Sequence, residues 1–534
     1  MKSMTRVRFF NTTWFSWLVL TILYFLTHLI GLIELPVFAD EAIYIRWSQL
    51  LLSDWQRYLL FPLNDGKTPL FIWMSAPFIA AFADPLYAAR LLSVLGGFVQ
   101  VIVVVAILKQ LRVSRVGQQI GALIVIFAPF WFFHHRMALM DGWLTVWMSL
   151  TTLGVLHVVQ QAAAQTKKSV NESPSTFLWP VVVILSVVAG LMTKIPFLLS
   201  FPSYFLLIFL HKQTNTVCWK AARVVVGLLG IGTAVFLLLL FTPEFPQLIT
   251  RGGDFLMSPI EVLRGRYQET IPSIPTYLGY FFSYAGWGVF VLALMALLLP
   301  GKRRIALLFL ASFVLFSAPI WILGKVVYPR YLFPALLYLT IVASLGADTL
   351  WQWSNQSFQS ANRRTAIRLL VVLLVVQLLL TSLKFLVPSW TNADETPFVS
   401  ADKAQYLTEW SSGHGLKETL TFVSELAQQK ASGKILVATE GNFGSLPDGL
   451  LLYNFRQPTD RVWIEGIGYP VNWLTTEFAQ KITPEDQVLL VVNSDRLLWS
   501  LDAQSLLQEY CRPLNASCLQ IWDITAVYQN FIKH

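Results

Sequence analysis

A chain of 534 residues that is 55% hydrophobic and 13% charged, with a mean hydropathy of +0.58, carries about half the charge that solvates an ordinary soluble domain. A net charge of +9 would suit a nucleic-acid partner, but the Lys and Arg residues stand mostly in short loops between apolar blocks, where they orient a membrane protein. Composition therefore excludes a soluble globular protein and argues for no nucleic acid as partner, leaving a polytopic α-helical membrane protein.

In chain order, the basic start MKSMTRVRFFNTT runs into an apolar block too long for a signal peptide, with no small-residue cleavage site, so a retained first helix is expected. A helix needs about 20 apolar residues to cross hydrocarbon. On that criterion about eleven spans are expected, at 14–35, 86–108, 117–133, 143–162, 178–193, 195–211, 222–242, 276–299, 305–323, 333–351 and 368–388. Pro69 to Ala83 is apolar but short and holds two prolines, so it is expected to lie in the interface without crossing. With the N-terminus inside, the loops KQLRVSR, QTKKSVNESPST, HKQTNTVCWKAAR, GKRR and QSFQSANRRTAIR all fall inside and all carry Lys or Arg. Asp40, Asp141, Lys194, the long loop from Thr242 to Ser273 and everything after Val387 then fall outside.

Just after the first block, LPVFADEAIYIRW places two acids, Asp40 and Glu41, at the head of an amphipathic pattern. Ile43, Trp47, Leu50, Leu51 and Trp55 share one face, and Arg46, Gln49, Ser53, Gln56 and Arg57 the other, as in a helix lying on the membrane surface. Asp40 then reads either as its cap, with Glu41 favouring the helix dipole, or as a chemical group. LNDGKTPLF adds Asp65 and Lys67, and HHRMALMDGW adds His134, His135, Arg136 and Asp141. Lys194 sits within about thirty otherwise apolar residues, either snorkelling to the outer boundary or binding something. VVYPRYLFP sets Arg330 between Tyr328 and Tyr331 at another outer helix end. Carboxylates can take a proton from a hydroxyl or hold a divalent ion, and Lys and Arg can neutralise a phosphate. Asp40, Asp65, Asp141 and His134 are the metal candidates, and a divalent cation is the one cofactor these residues suggest.

These features resemble the GT-C glycosyltransferases, in particular the branch of protein O-mannosyltransferases and lipid A aminoarabinose transferases. The resemblance runs from about residue 10 to 350, and rests on the acidic pair after the first span, a second Asp after the third, the Lys, and the late R-Y-x-x-P motif. FADEAIY and the R-x-x-x-x-D of Arg136 to Asp141 are its more specific parts. It implies a polyprenyl-phosphate sugar donor and transfer on the outer or lumenal face. It also implies a base at Asp40, a second acid at Asp141 and phosphate-binding lysines at Lys67 and Lys194. Together with the charges above, Glu41 is expected beside the base, and Arg136, Arg330 and Tyr331 on the donor side. Where aminoarabinose transferases have an acid directly before the lysine, this chain has Gly66.

From residue 389 to 534 helical patterns such as KETLTFVSELAQQ alternate with KILVAT, RVWIEG and QVLLVVNS, as in a small extracytoplasmic α/β domain with a mostly parallel sheet. Cys511 and Cys518 are either a disulfide or two thiols. Residues 1–388 are then the transferase domain of an integral protein of the bacterial plasma membrane, active on its outer face. The expected reaction is an inverting displacement by a hydroxyl of a glycan, lipid or protein acceptor. A transporter or flippase of a lipid-linked sugar, with the same charges forming a passage, is the alternative, and a bare membrane anchor is a third; no internal repeat of the transporter kind is visible.

Overall fold

The computed structural model describes residues 12–165, 175–210, 215–251, 256–356, 360–455 and 460–527. Parts of the expected basic loops QTKKSVNESPST (166–174), HKQTNTVCWKAAR (211–214) and QSFQSANRRTAIR (357–359), and residues 252–255 of the long loop, lie outside the described residues. The chain forms two compact units. The first gathers residues 1–32, 63–68 and 93–387, the second residues 33–62, 69–92 and 388–534.

The first unit is helical. Each of the eleven expected spans contains helix, but among the described residues six helices are by themselves long and apolar enough to cross a membrane. A bent pair makes a seventh, and five further apolar helices are shorter. Proline and glycine explain much of the shortening. The expected 276–299 span breaks at Gly286 (φ 77°) into Ile274–Ala285 and Trp287–Leu298, bent by 104°. The expected 195–211 span opens as a 3₁₀ turn, Ile195–Ser200, before the α-helix Phe201–Leu207, each with proline in its first turn, where a missing N–H costs least. The Pro329–Asn355 stretch is buried along its apolar middle and packs against Trp287–Leu298, Arg115–Phe127 and Arg303–Leu323. The Thr216–Phe241 stretch instead exposes Val226, Ile231, Leu238 and Phe241, an apolar surface stable only against hydrocarbon. The chain is an integral membrane protein.

The second unit holds a five-stranded mixed sheet, ordered β2-β1-β3-β5-β4. β1 (Ile435–Thr439), β2 (Val462–Gly466) and β3 (Gln487–Asn493) are the three expected strands and run parallel. β4 (Leu506–Cys511) and β5 (Cys518–Asp523) add an antiparallel hairpin that a mostly parallel sheet did not anticipate. Its strands are partly polar and half exposed, which hides the strand signal, and Cys511 and Cys518 are disulfide-bonded across the pair.

The helix Ala39–Ser53 differs from the expected exposed amphipathic one. It is buried on most sides between helices Leu70–Ala81 and Asp448–Asn454 of the same unit. Its polar residues are paid off internally, Ser48 Oγ donating to the Ile72 carbonyl at 3.1 Å and Gln49 Nε2 to the Leu452 carbonyl at 2.8 Å. Amphipathic spacing reports that one face is apolar and leaves open what covers the other.

Candidate active site

In the second unit the adjacent acids have different surroundings. The helix starts at Ala39 after the N-cap Phe38, so Asp40 stands in the first turn and is not the cap. Glu41 does the capping: its Oε2 accepts the Phe38 N–H at 3.0 Å. The same carboxylate takes a two-point ion pair from Arg90, Nε to Oε1 at 2.9 Å and Nη2 to Oε2 at 2.7 Å. Arg90 also donates to the carbonyls of Leu35 and Pro36, so both residues are consumed by holding this turn. Glu41 is thus held by Arg90 and the Phe38 N–H at the start of the helix that carries Asp40. Asp40 is half-buried and carries the dipole-favoured negative charge at the helix N-terminus. Arg90 went unremarked in the sequence, although a charge inside the apolar 86–108 span was the available signal.

In the first unit, helix Met140–Gln165 carries Asp141 in its first turn, and Lys194 follows the last residue of helix Ser175–Thr193. They meet at 2.7 Å (Nζ to Oδ1). Lys194 Nζ also lies 5.2 Å from the Tyr331 ring centroid, and Arg330 lies at 5.2 Å from the same ring and 5.8 Å from that of Tyr328. Arg330 Nη2 further donates to the Tyr331 hydroxyl at 3.4 Å. Four of the expected residues thus form one cluster, Asp141–Lys194–Tyr331–Arg330. Two cations and one carboxylate leave it a net positive charge of one, partly buried, which is the charge pattern of a phosphate site.

Other expected residues have partners outside the cluster. Arg136 donates to the Gly31 carbonyl at 2.5 Å and the Thr27 carbonyl at 3.4 Å and lies over Phe132, closing the end of helix Thr12–Leu29. His134 is buried, stacked on Phe333 with its Nδ1 2.9 Å from the Phe130 carbonyl. Asp65 pairs with Arg251 of the long loop at 2.5 Å. Gly66 between Asp65 and the half-buried Lys67 has φ 70°, and a Cβ there would stand 2.6 Å from Arg251 Cβ; the turn admits no acid at this position. Among the metal candidates of this unit, Asp65 and Asp141 each hold a cation partner through one carboxylate oxygen.

The profile of the family described as dolichyl-phosphate-mannose-protein mannosyltransferase matches residues 58–249. No curated protein sequence matches significantly. Among solved structures, the chain resembles ArnT from Cupriavidus metallidurans bound to undecaprenyl phosphate, with a TM-score of 0.58 at 16% identity over 96% of this chain and 98% of that one. It also resembles the Archaeoglobus fulgidus oligosaccharyltransferase tethered to an acceptor peptide, with a TM-score of 0.50 at 10% identity over 90% of this chain and 70% of that one. The fold is that of the GT-C membrane glycosyltransferases, as the resemblance on the sequence implies.

Proposed function

We propose that this GT-C membrane glycosyltransferase moves a sugar from a polyprenyl-phosphate donor to a hydroxyl acceptor on the outer face of a bacterial plasma membrane. The observation that carries the reading is the Asp141–Lys194–Tyr331–Arg330 cluster, whose surplus positive charge suits a phosphate anchored by its lipid. Binding of undecaprenyl phosphate by the structurally similar ArnT supports a donor of that class.

The reaction is a single displacement. The acceptor oxygen attacks the anomeric carbon from the face opposite the phosphate, and the bond from that carbon to the phosphate oxygen breaks. The electron pair leaves with the polyprenyl phosphate, whose growing charge Lys194 and Arg330 stabilise, and Lys67 is a further cation for it. Asp40 takes the hydroxyl proton, and the sugar inverts. Asp141 holds the Lys194 ammonium in place. The basic inner loops support an outer placement of Asp40, Asp141 and Lys194. A flippase would call for a second broken helix matching the Ile274–Ala285 and Trp287–Leu298 pair, and the described residues contain one such pair.

The test is incubation of the purified protein with radiolabelled polyprenyl-phosphate mannose, glucose and arabinose-type donors and a panel of glycan, lipid and peptide acceptors. One donor should release its sugar onto a hydroxyl with inverted configuration; no transfer from any donor would overturn the reading. Alkaline phosphatase joined after β5 should be active, and joined within 352–368 inactive.

A further inference from the structure

Outside the cluster, the second unit contains a pocket of about 250 Å³ lined by Trp410, Glu440, Phe443, Ser445, Tyr469 and Arg496, among others. It opens at the carboxyl edge of the parallel strands: Glu440 follows β1, Tyr469 lies shortly after β2, and Arg496 shortly after β3. In open sheets of this kind ligands bind at that edge.

The pocket is built, with its polar groups held from behind. Glu440 is buried and accepts from Asn493 N–H at 3.1 Å, Asn493 Nδ2 at 2.5 Å and Arg496 Nη1 at 3.1 Å. Asn493 is fixed in turn by Arg512, which donates to its Oδ1 at 2.5 Å and to the Ser412 carbonyl at 3.1 Å. The Arg496 guanidinium lies over two rings, 4.6 Å from Trp410 and 4.0 Å from Tyr469. Trp410, Phe443 and Tyr469 nevertheless keep large exposed faces. Burial pushes the Glu440 carboxyl up, against the pull of Asn493 and Arg496.

Glu440 and Arg496 neutralise each other, so the pocket selects neither anion nor cation. It offers aromatic planes beside fixed polar groups, which suits a neutral ligand with one apolar face and a rim of hydroxyls. We propose that this pocket binds a neutral saccharide. Within the same unit, Trp410 precedes Ser411, whose carbonyl accepts the Ala39 N–H at 2.9 Å, and Ser412 bridges Phe38, so the helix that carries Asp40 starts against the residues that follow Trp410. The pocket therefore holds the saccharide part of the acceptor beside Asp40. That last role rests on the transferase reading, whereas saccharide binding does not.

The test measures binding without donor. Full-length protein in lipid nanodiscs, free of glycoside detergent, is titrated with mannotriose, maltotriose, cellotriose and triacetylchitotriose by saturation-transfer NMR. At least one should bind, and Phe443→Ala and Tyr469→Ala, both exposed positions, should each weaken it by about threefold to tenfold with unchanged melting temperature. Trp463→Ala, at an exposed ring on β2 outside the pocket lining, should leave binding intact. With a saccharide acceptor, Tyr469→Ala should raise the acceptor KM and leave kcat unchanged. No saccharide binding up to about 10 mM, or binding by both variants as tight as by the unaltered protein, would overturn the proposal. Saccharide binding without sugar transfer from any donor would sink the transferase reading and leave the pocket assignment standing.

Discussion

Two buried carboxylates, Glu41 and Asp141, each meet a cation about fifty residues away in sequence, and the two pairs are built differently. In Glu41–Arg90 the side chains are 0% and 1% exposed, and Arg90 also donates to two backbone carbonyls. In Asp141–Lys194 the lysine is 21% exposed and shares an aromatic face with a second cation, Arg330. The first pair is closed on itself and holds a turn. The second is open to a further partner of negative charge. Pairing alone thus does not distinguish architecture from chemistry; what decides is whether the pair still has a polar face that solvent or substrate can reach.

The sharpest test separates the neighbours Asp40 and Glu41. Asp40→Asn should lower turnover by about 10²–10⁴-fold, the worth of a general base, with only a small loss of thermal stability, because Phe38 and not Asp40 occupies the cap position and only a favourable first-turn charge is removed. Near-normal turnover would move the search for the base to another acid. Glu41→Ala should do the opposite kind of damage. Stranding the buried Arg90 costs about 3–5 kcal/mol, read as a loss of thermal stability, and Glu41→Ala with Arg90→Met should recover most of it. If the double variant is no more stable than the single, the closed-pair account fails.

Opening the second pair should touch binding before stability. Lys194→Ala removes a charged partner of the phosphate, worth about 1.5–3 kcal/mol, so donor affinity should fall about tenfold to a hundredfold in a direct binding assay. Unchanged affinity would return Lys194 to a snorkelling role. The smallest effect belongs to a third pair, Lys481–Glu465, at 2.6 Å and 37% and 25% exposed. Lys481→Ala should cost about 0.2–1 kcal/mol of stability and leave donor binding and turnover unchanged.

The residues of the cluster were legible one by one. Asp141, Lys194, Arg330 and Tyr331 stand out in sequence because polar groups beside apolar blocks need a reason, and the fold brings these four together. Arg136 stands out equally and is used to close a helix end, since an unsatisfied carbonyl and a phosphate attract the same guanidinium. Arg251 lay in a loop with no periodic pattern, and its pairing with Asp65 spans 186 residues, beyond any local signal.

The sequence by itself determined the class of the molecule, the helical character of its apolar blocks and the three parallel strands, because hydrophobic length and periodicity act over a few turns of chain. Only the tertiary structure decided that Glu41 closes on Arg90, that Asp141 holds Lys194, that the Ala39–Ser53 helix is buried in the second unit, and that Glu440 and Arg496 line a pocket. Those outcomes depend on which distant group the packing brings to a buried charge, because leaving such a charge unpaired is costly and the neighbours in the chain do not decide its partner.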